Sequence, residues 1–189
     1  FMRELLRKSR SIRRFNENTK LSKSTLEELV ALTRFCPSAA NRQPLKYVIS
    51  CTAKRNASIF PCLSWAGYLE DWDGPDKGER PAGYIIVLLD TEISKDPSVD
   101  HGIAAQSMLL GAAELGIGGC IIGSVDRERL RERFTIPERY EILLVLALGE
   151  PGEEIILENP LDSNIKYYRD KNNVHHVPKR GIAELILEL

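Results

Sequence analysis

Two stretches of the chain, Tyr84 to Leu89 and Ile142 to Leu148, are apolar without a break. Apolar runs of that length bounded by turn or charged residues predict buried strands, over Tyr84–Asp90 and Glu141–Leu148. Asp100–Leu115 is apolar on nearly every helical face, which predicts a helix inside the protein. Leu26, Leu29, Val30 and Thr33 keep the i, i+3, i+4, i+7 rule. A helix is therefore expected from about Ser24 to Phe35, opened by a Ser24-x-x-Glu27 capping box and stopped by Pro37. Residues 37–44 read as a loop and Lys46–Thr52 as a short strand. Another strand is expected over about Gly119–Ile122, then a short helix capped by Asp126 with Leu130 and Phe134 on one face. Residues 56–83 are mixed in polarity and hold Trp65, Tyr68 and Trp72. From Pro151 the pattern is irregular and polar up to Ile182–Leu189. No repeat and no linker between two cores is visible, so the expectation is one α+β layered domain over residues 1–189. Its tail, residues 151–189, is expected not to collapse on itself but to lie across a second subunit.

Composition narrows the function classes. With 43% hydrophobic and 28% charged residues, the 189-residue chain is an ordinary globular protein with one core. A net charge of −1 gives no global field to draw nucleic acid or lipid. Cys36, Cys51, Cys62 and Cys120 form no Cys-x-x-Cys pair and read as free thiols. His101 and the His175-His176 pair lack metal-ligand spacing, so no metal is expected. The first 15 residues have no apolar signal-peptide core, and the apolar runs fall short of the roughly 20 residues a spanning helix needs. Gly102–Gly123 is long enough, but Gln106, Glu114 and six glycines make it a buried helix running into a strand. No membrane partner and a cytoplasmic location are expected. The chain opens on Phe1 rather than Met, as it would with native residues missing before it.

Four segments could carry chemistry. Arg10-Ser11-Ile12-Arg13-Arg14-Phe15 is either a solvated basic face or an anion site, since arginine offers forked donors and Ser11 a hydroxyl. Phe15 is the segment's single aromatic, which argues against a nucleic-acid arm. Pro37-Ser38-Ala39-Ala40-Asn41-Arg42-Gln43-Pro44 is either a plain turn or a ligand wall. Its amides can read a flat polar ring, while its small residues let that ring approach the backbone. Gly116–Gly123 is not a dinucleotide fingerprint, because Ile121 stands where a glycine is required and the order is helix, glycines, strand. It leaves a tight turn and Gly123, where a backbone N–H can meet a ligand. Val177-Pro178-Lys179-Arg180-Gly181 is a second basic segment, a solvated tail or the other half of a phosphate clamp. No nucleophile–base, P-loop or zinc signature is present, and an enzyme without side-chain catalysts relies on a cofactor.

In this order, the blocks resemble the FMN-dependent nitroreductase family: Arg10-Ser11-Ile12-Arg13-Arg14-Phe15 its amino-terminal motif, Pro37–Pro44 its Pro-Ser-x-x-Asn-x-Gln-Pro motif, Asp100–Gly123 its central helix and glycine turn, and Val177–Arg180 its basic carboxy-terminal motif. The resemblance implies a central, mostly antiparallel sheet flanked by helices, and a homodimer with the tail exchanged and two FMN sites at the interface. It implies that Arg10, Ser11, Arg13, Lys179 and Arg180 hold the phosphate and ribityl chain, with Arg13 near the flavin N1/O2 edge. Pro37, Ser38, Ala39, Asn41 and Gln43 would reach in across the dimer, and the backbone at Ile122 and Gly123 would approach N5. Departures are Ser9 where many members have arginine, Leu45 where many have tryptophan, and Ile121-Ile122-Gly123 without the acid some carry. The activity implied is electron transfer from NADH or NADPH to a nitroaromatic or quinone-like small molecule by a ping-pong cycle. A flavin reductase, a reductive dehalogenase, a flavin carrier and a redox sensor are the alternatives on the same scaffold.

Overall fold

The computed structural model describes residues 1–188. Helix α1 spans Met2–Lys8, α2 Lys23–Leu32, strand β1 Leu45–Ser50 and α3 Ala53–Ile59. Then follow β2 Gly83–Asp90, α4 Asp100–Glu114, β3 Gly118–Ile122, α5 Arg127–Phe134 and β4 Tyr140–Gly149. The last elements are β5 Ile155–Glu158, β6 Tyr168–Arg169, β7 His175–Pro178 and α6 Ile182–Leu185. Strands β1–β4 form an antiparallel sheet in the order β1-β2-β4-β3.

Every residue of β2 is buried, because alternate side chains enter two cores. Tyr84, Ile86 and Leu88 meet Ile12, Phe15, Ile59 and Leu130 on one face. Ile85 and Val87 meet Leu26, Leu29, Met108 and Ala112 of α2 and α4 on the other. The two-sided burial explains why the sequence shows unbroken apolar runs rather than alternation. On β4, Leu143 and Leu144 both belong to the α2/α4 side, and the β2–β4 register slips between Val87 and Leu88. That is a β-bulge, and it turns the start of β4.

The two glycines that open β3 answer to packing. A Cβ on Gly119 would stand 2.5 Å from Leu109 Cδ2 and 3.1 Å from the Ala147 carbonyl. One on Gly118 would meet Ile12 at 2.8 Å, where the amino-terminal segment crosses and Ile12 N–H donates to the Gly119 carbonyl at 3.0 Å. Gly116 turns the chain at φ +74°, open to glycine without strain.

Two expectations change. Helix α2 is capped by Ser22, whose Oγ accepts from Thr25 N–H at 3.0 Å, not by Ser24. Starting one turn position earlier puts Lys23 in the helix, 3.1 Å from Glu27, so Glu27 pairs with a lysine instead of closing a capping box. The tail is also not irregular throughout. Strands β5, β7 and β6 form a second sheet, parallel between β5 and β7 and antiparallel between β6 and β7, and it docks on its own chain. Charged and aromatic contacts hold it rather than an apolar stripe, which is why the hydrophobic pattern missed it. Leu189, the end of the expected apolar segment Ile182–Leu189, lies outside the described residues. The four cysteines are free, as expected, and among the described residues no helix is long and apolar enough to cross a membrane.

Candidate active site

The segment that carries Arg10, Ser11 and Arg13 runs beside the glycine end of β3, Ser11 bridging Gly119. Ile12 and Phe15 are buried, and Arg13 and Arg14 between them are half-buried. The backbone N–H groups of Arg13 and Arg14 both donate to Glu153 Oε1, at 2.5 and 3.2 Å. Glu153 Oε2 accepts from Arg169 Nη2 at 3.0 Å and lies 3.6 Å from His175 Nδ1. This carboxylate side chain is 1% exposed. Burial pushes its pKa up, but the His175 imidazole, the Arg13 N–H and the Arg169 guanidinium outweigh it and hold the group down at about 2. Glu153 therefore stays ionised and fixes the path of the arginine segment.

Arg13 itself meets no carboxylate within ion-pair distance among the described residues. Its guanidinium donates to the Ser11 carbonyl at 3.3 Å and lies 5.0 Å from the Tyr167 ring centre. It faces a cavity of about 280 Å³ shared with Trp65, Tyr167, Ile122 and Gly123. Nothing stands within 4 Å of a Cβ built on Gly123. The Gly123 carbonyl is tied back by Arg127, which also donates to the carbonyls of Val125, Ile142 and Leu143 at 2.8–3.3 Å. The β4 bulge places two of those carbonyls, so one arginine links the bulge to the site. Arg10 is half-buried; its Nη2 donates to the Leu6 carbonyl and its Nε is buried without a partner. Burial lowers its pKa.

Pro37, Ser38, Asn41 and Gln43 line a different cavity, about 510 Å³, together with Tyr47 and Asp100. Ala39 donates its N–H to Asp100 Oδ1 at 3.0 Å and Ser38 Oγ donates to Oδ2 at 2.6 Å. Gln43 Nε2 donates to Asn41 Oδ1 at 3.1 Å, leaving both side chains exposed at the loop's tip. This loop leads into edge strand β1 on the α2/α4 face, whereas Arg13 and Gly123 sit at the other edge strand, β3. Three strand spacings separate the two edges, about 14 Å. Within one chain the structure thus brings Arg13, Ile122 and Gly123 around one cavity, with Ser11 further back along β3 at Gly119 and Arg10 tied to Leu6, and keeps the Pro37–Gln43 loop apart. Lys179 and Arg180 follow β7; Arg180 pairs with Glu184 at 3.1 Å, and neither touches the amino-terminal arginines.

Sequence reasoning missed Glu153, Asp100, Arg127, Trp65 and Tyr167. Glu153 and Asp100 act through groups 61 or more residues away, which no local spacing reveals, and Arg127 acts through carbonyls that only the fold of β4 brings to it. Tyr167 sits against Tyr68 at 4.9 Å between ring centres and accepts from the Tyr68 N–H at 3.3 Å.

The sequence profile of the nitroreductase family matches residues 6–63 and 79–150. Two of the three unmatched stretches, 64–78 and the tail, pack against each other through Tyr68 and Tyr167. An Archaeoglobus fulgidus protein named "Putative NADH dehydrogenase/NAD(P)H nitroreductase" is 28% identical over 153 residues, 77% of this chain and 82% of its own. The crystal structure of a nitroreductase family protein from Streptococcus pneumoniae superposes with a TM-score of 0.70 at 18% identity, covering 85% of this chain and 96% of the other. An FMN-dependent nitroreductase from Clostridium difficile gives a TM-score of 0.68 at 22% identity, with 89% and 98% covered. Because the profile match takes in well over half of the chain and both halves of the candidate site, the chain belongs to the nitroreductase family.

Proposed function

We propose that this protein is an FMN-dependent oxidoreductase, working as a homodimer, that moves electrons from NADH or NADPH to a nitroaromatic or quinone-like acceptor by a ping-pong cycle. The observation that carries the reading is the unpaired Arg13 guanidinium beside the open Gly123 backbone. The residues present fit FMN. Arg10 and Arg13 have no acidic partner among the described residues, Arg10 has a buried orphan Nε, and Gly123 leaves room for a ring edge. When bound, FMN would supply the two-electron chemistry. Arg13 would offset the negative charge that develops at the N1/O2 edge, an electrostatic role for a fixed cation. Arg10 and Ser11 would hold the phosphate and ribityl chain, and the backbone of Ile122 and Gly123 would border N5.

The second half of the site is assigned to a second copy. The Arg13–Gly123 cavity, about 280 Å³, is below the roughly 300 Å³ at which ligand pockets begin. The Pro37–Gln43 loop that would complete it stands at the opposite sheet edge of the same chain. A partner's loop, with Asn41 and Gln43 at its tip, supplies the missing wall, and Lys179 and Arg180 would complete the phosphate clamp. Mass spectrometry of the cofactor released from purified protein tests the reading: FMN at one per chain is expected. FAD alone, or no flavin affinity, overturns it.

A further inference from the structure

A second cavity, about 450 Å³, opens between α3, the Glu17–Lys20 turn and the Arg80–Tyr84 segment, and it shares no residue with the Arg13–Gly123 cavity. Tyr84 lines it from below. The residue is 1% exposed, its ring packs in the core, and its hydroxyl has no hydrogen-bond partner among the described residues. Burial drives the phenol pKa far above its ordinary value, so the hydroxyl stays a neutral donor. Tyr84 lines the cavity, so this hydroxyl can donate to an acceptor seated there.

Arg80 stands at the same cavity. Its guanidinium lies over the Phe60 ring, 4.2 Å from the ring centre, and its Nε is buried without a partner. Neither Arg80 nor Lys20 at the rim has an ion pair among the described residues. The lining's one acid, Glu17, takes the Gly78 N–H. Two cations against one acid match a monoanion better than a dianion. A stacked guanidinium presents a planar fork, which suits a carboxylate. Ala57, Phe60 and Pro81 give the remaining wall an apolar character.

We propose that this cavity is a second ligand site, separate from the flavin chemistry, that binds a small monocarboxylate with a flat apolar body. The carboxylate takes donors from Arg80 and the Tyr84 hydroxyl, and the body lies against Phe60 and Ala57. The proposal does not rest on the flavin reading. Its test is a titration of the full-length protein, as purified, with benzoate and with the neutral isostere benzamide, followed by ¹⁵N-edited NMR. Saturable shifts at the amides of Thr52, Asn56 and Tyr84 are expected with benzoate and not with benzamide. Arg80→Gln should weaken benzoate about ten- to hundredfold, the loss of one charge-assisted contact. Tyr84→Phe keeps the core ring and should weaken it severalfold, so it decides the matter if Arg80→Gln fails to fold. Equal binding of benzamide, unchanged binding in a folded variant, no saturable shift at these amides, or shifts confined to Gly123 and its neighbours would each overturn the proposal.

Discussion

Asp100 opens α4 with its residue 4% exposed and both carboxylate oxygens spent on the Ser38–Ala39 corner of the Pro37–Gln43 loop. Ser38 Oγ in turn accepts from the Gln43 N–H at 2.9 Å, so one carboxylate holds both ends of the loop's bend. Within that bend Ala40, Asn41 and Gln43 have φ of +50°, +53° and +51°, a left-handed conformation that costs a non-glycine residue on the order of 1–3 kcal/mol. Without the Asp100 anchor the loop would relax toward ordinary backbone angles, and Asn41 and Gln43 would lose their fixed direction. Asp100→Ala should therefore weaken FMN binding about tenfold or more by fluorescence titration. Asp100→Asn, which keeps an acceptor for the Ala39 N–H, should recover most of the affinity. Unchanged FMN affinity in Asp100→Ala would mean that the carboxylate does not position the loop. The loop's own residues were legible in the sequence by type: small residues, two amides, two prolines. Asp100 was not, because an acid in the first turn of a helix already has an ordinary explanation in the helix dipole. Its partners are 61 and 62 residues away.

Among elements, those read well from sequence were the ones whose stability comes from apolar area in a regular pattern: α4, β2, β4 and the Asp126-capped α5, where Asp126 Oδ1 accepts from the Arg129 N–H at 3.1 Å. Strands β5–β7 escaped because each is two to four residues long and held by charge. His176 on β7 stacks on Tyr168 of β6 with ring centres 4.8 Å apart, places Nδ1 2.9 Å from Glu158 of β5, and Nε2 3.6 Å from Asp170. The Glu158 hydrogen bond raises the His176 pKa above its ordinary value, burial opposes it, and the Asp170 carboxylate adds to the rise. A raised folded pKa means that the protonated imidazole stabilises the sheet fully below the unfolded value. That contribution is lost as pH rises through the raised value. Glu153 has the opposite sign, its stabilisation present above the ordinary 4.5 and lost as pH falls toward about 2. Hydrogen exchange in residues 155–178, corrected for intrinsic rates, should thus show protection falling as pH rises past the ordinary imidazole value while β2 and β4 stay protected. In His176→Phe, which retains a ring against Tyr168, that loss should vanish. An unchanged pH profile in the variant would assign the loss to another group.

At the scale of the whole molecule, the Arg13–Gly123 cavity and the Pro37–Gln43 loop stand at opposite sheet edges, and several large apolar residues are exposed among the described residues. Phe1, Phe35, Ile182 and Leu187 are 86%, 85%, 70% and 76% exposed, and Leu185 and Ile186 are exposed beside them. The run of exposed apolar residues over 182–187 is of the kind that marks an interaction surface, and in the shared-site reading a second copy would cover it while bringing its Pro37–Gln43 loop to Arg13. If the site and the interface are built from the same pairing, flavin retention and dimerisation must fall together even when the chain itself stays folded. Two truncations separate the causes. Ending the chain after Glu158 removes Arg169 and His175, leaving buried Glu153 without its charged partners and its hold on the Arg13 and Arg14 N–H groups unsupported, so both properties should be lost through local unfolding. Ending it after Arg180 spares the Glu153 cluster and all of β5–β7, and takes away Ile182, Leu185, Ile186 and Leu187. The chain ending at Arg180 should keep its circular dichroism and its exchange protection, yet sediment as a monomer and retain little FMN. A monomer of that chain, or of the full-length protein, that held FMN at one per chain would show the site complete within a single subunit, and the shared-site reading would be wrong.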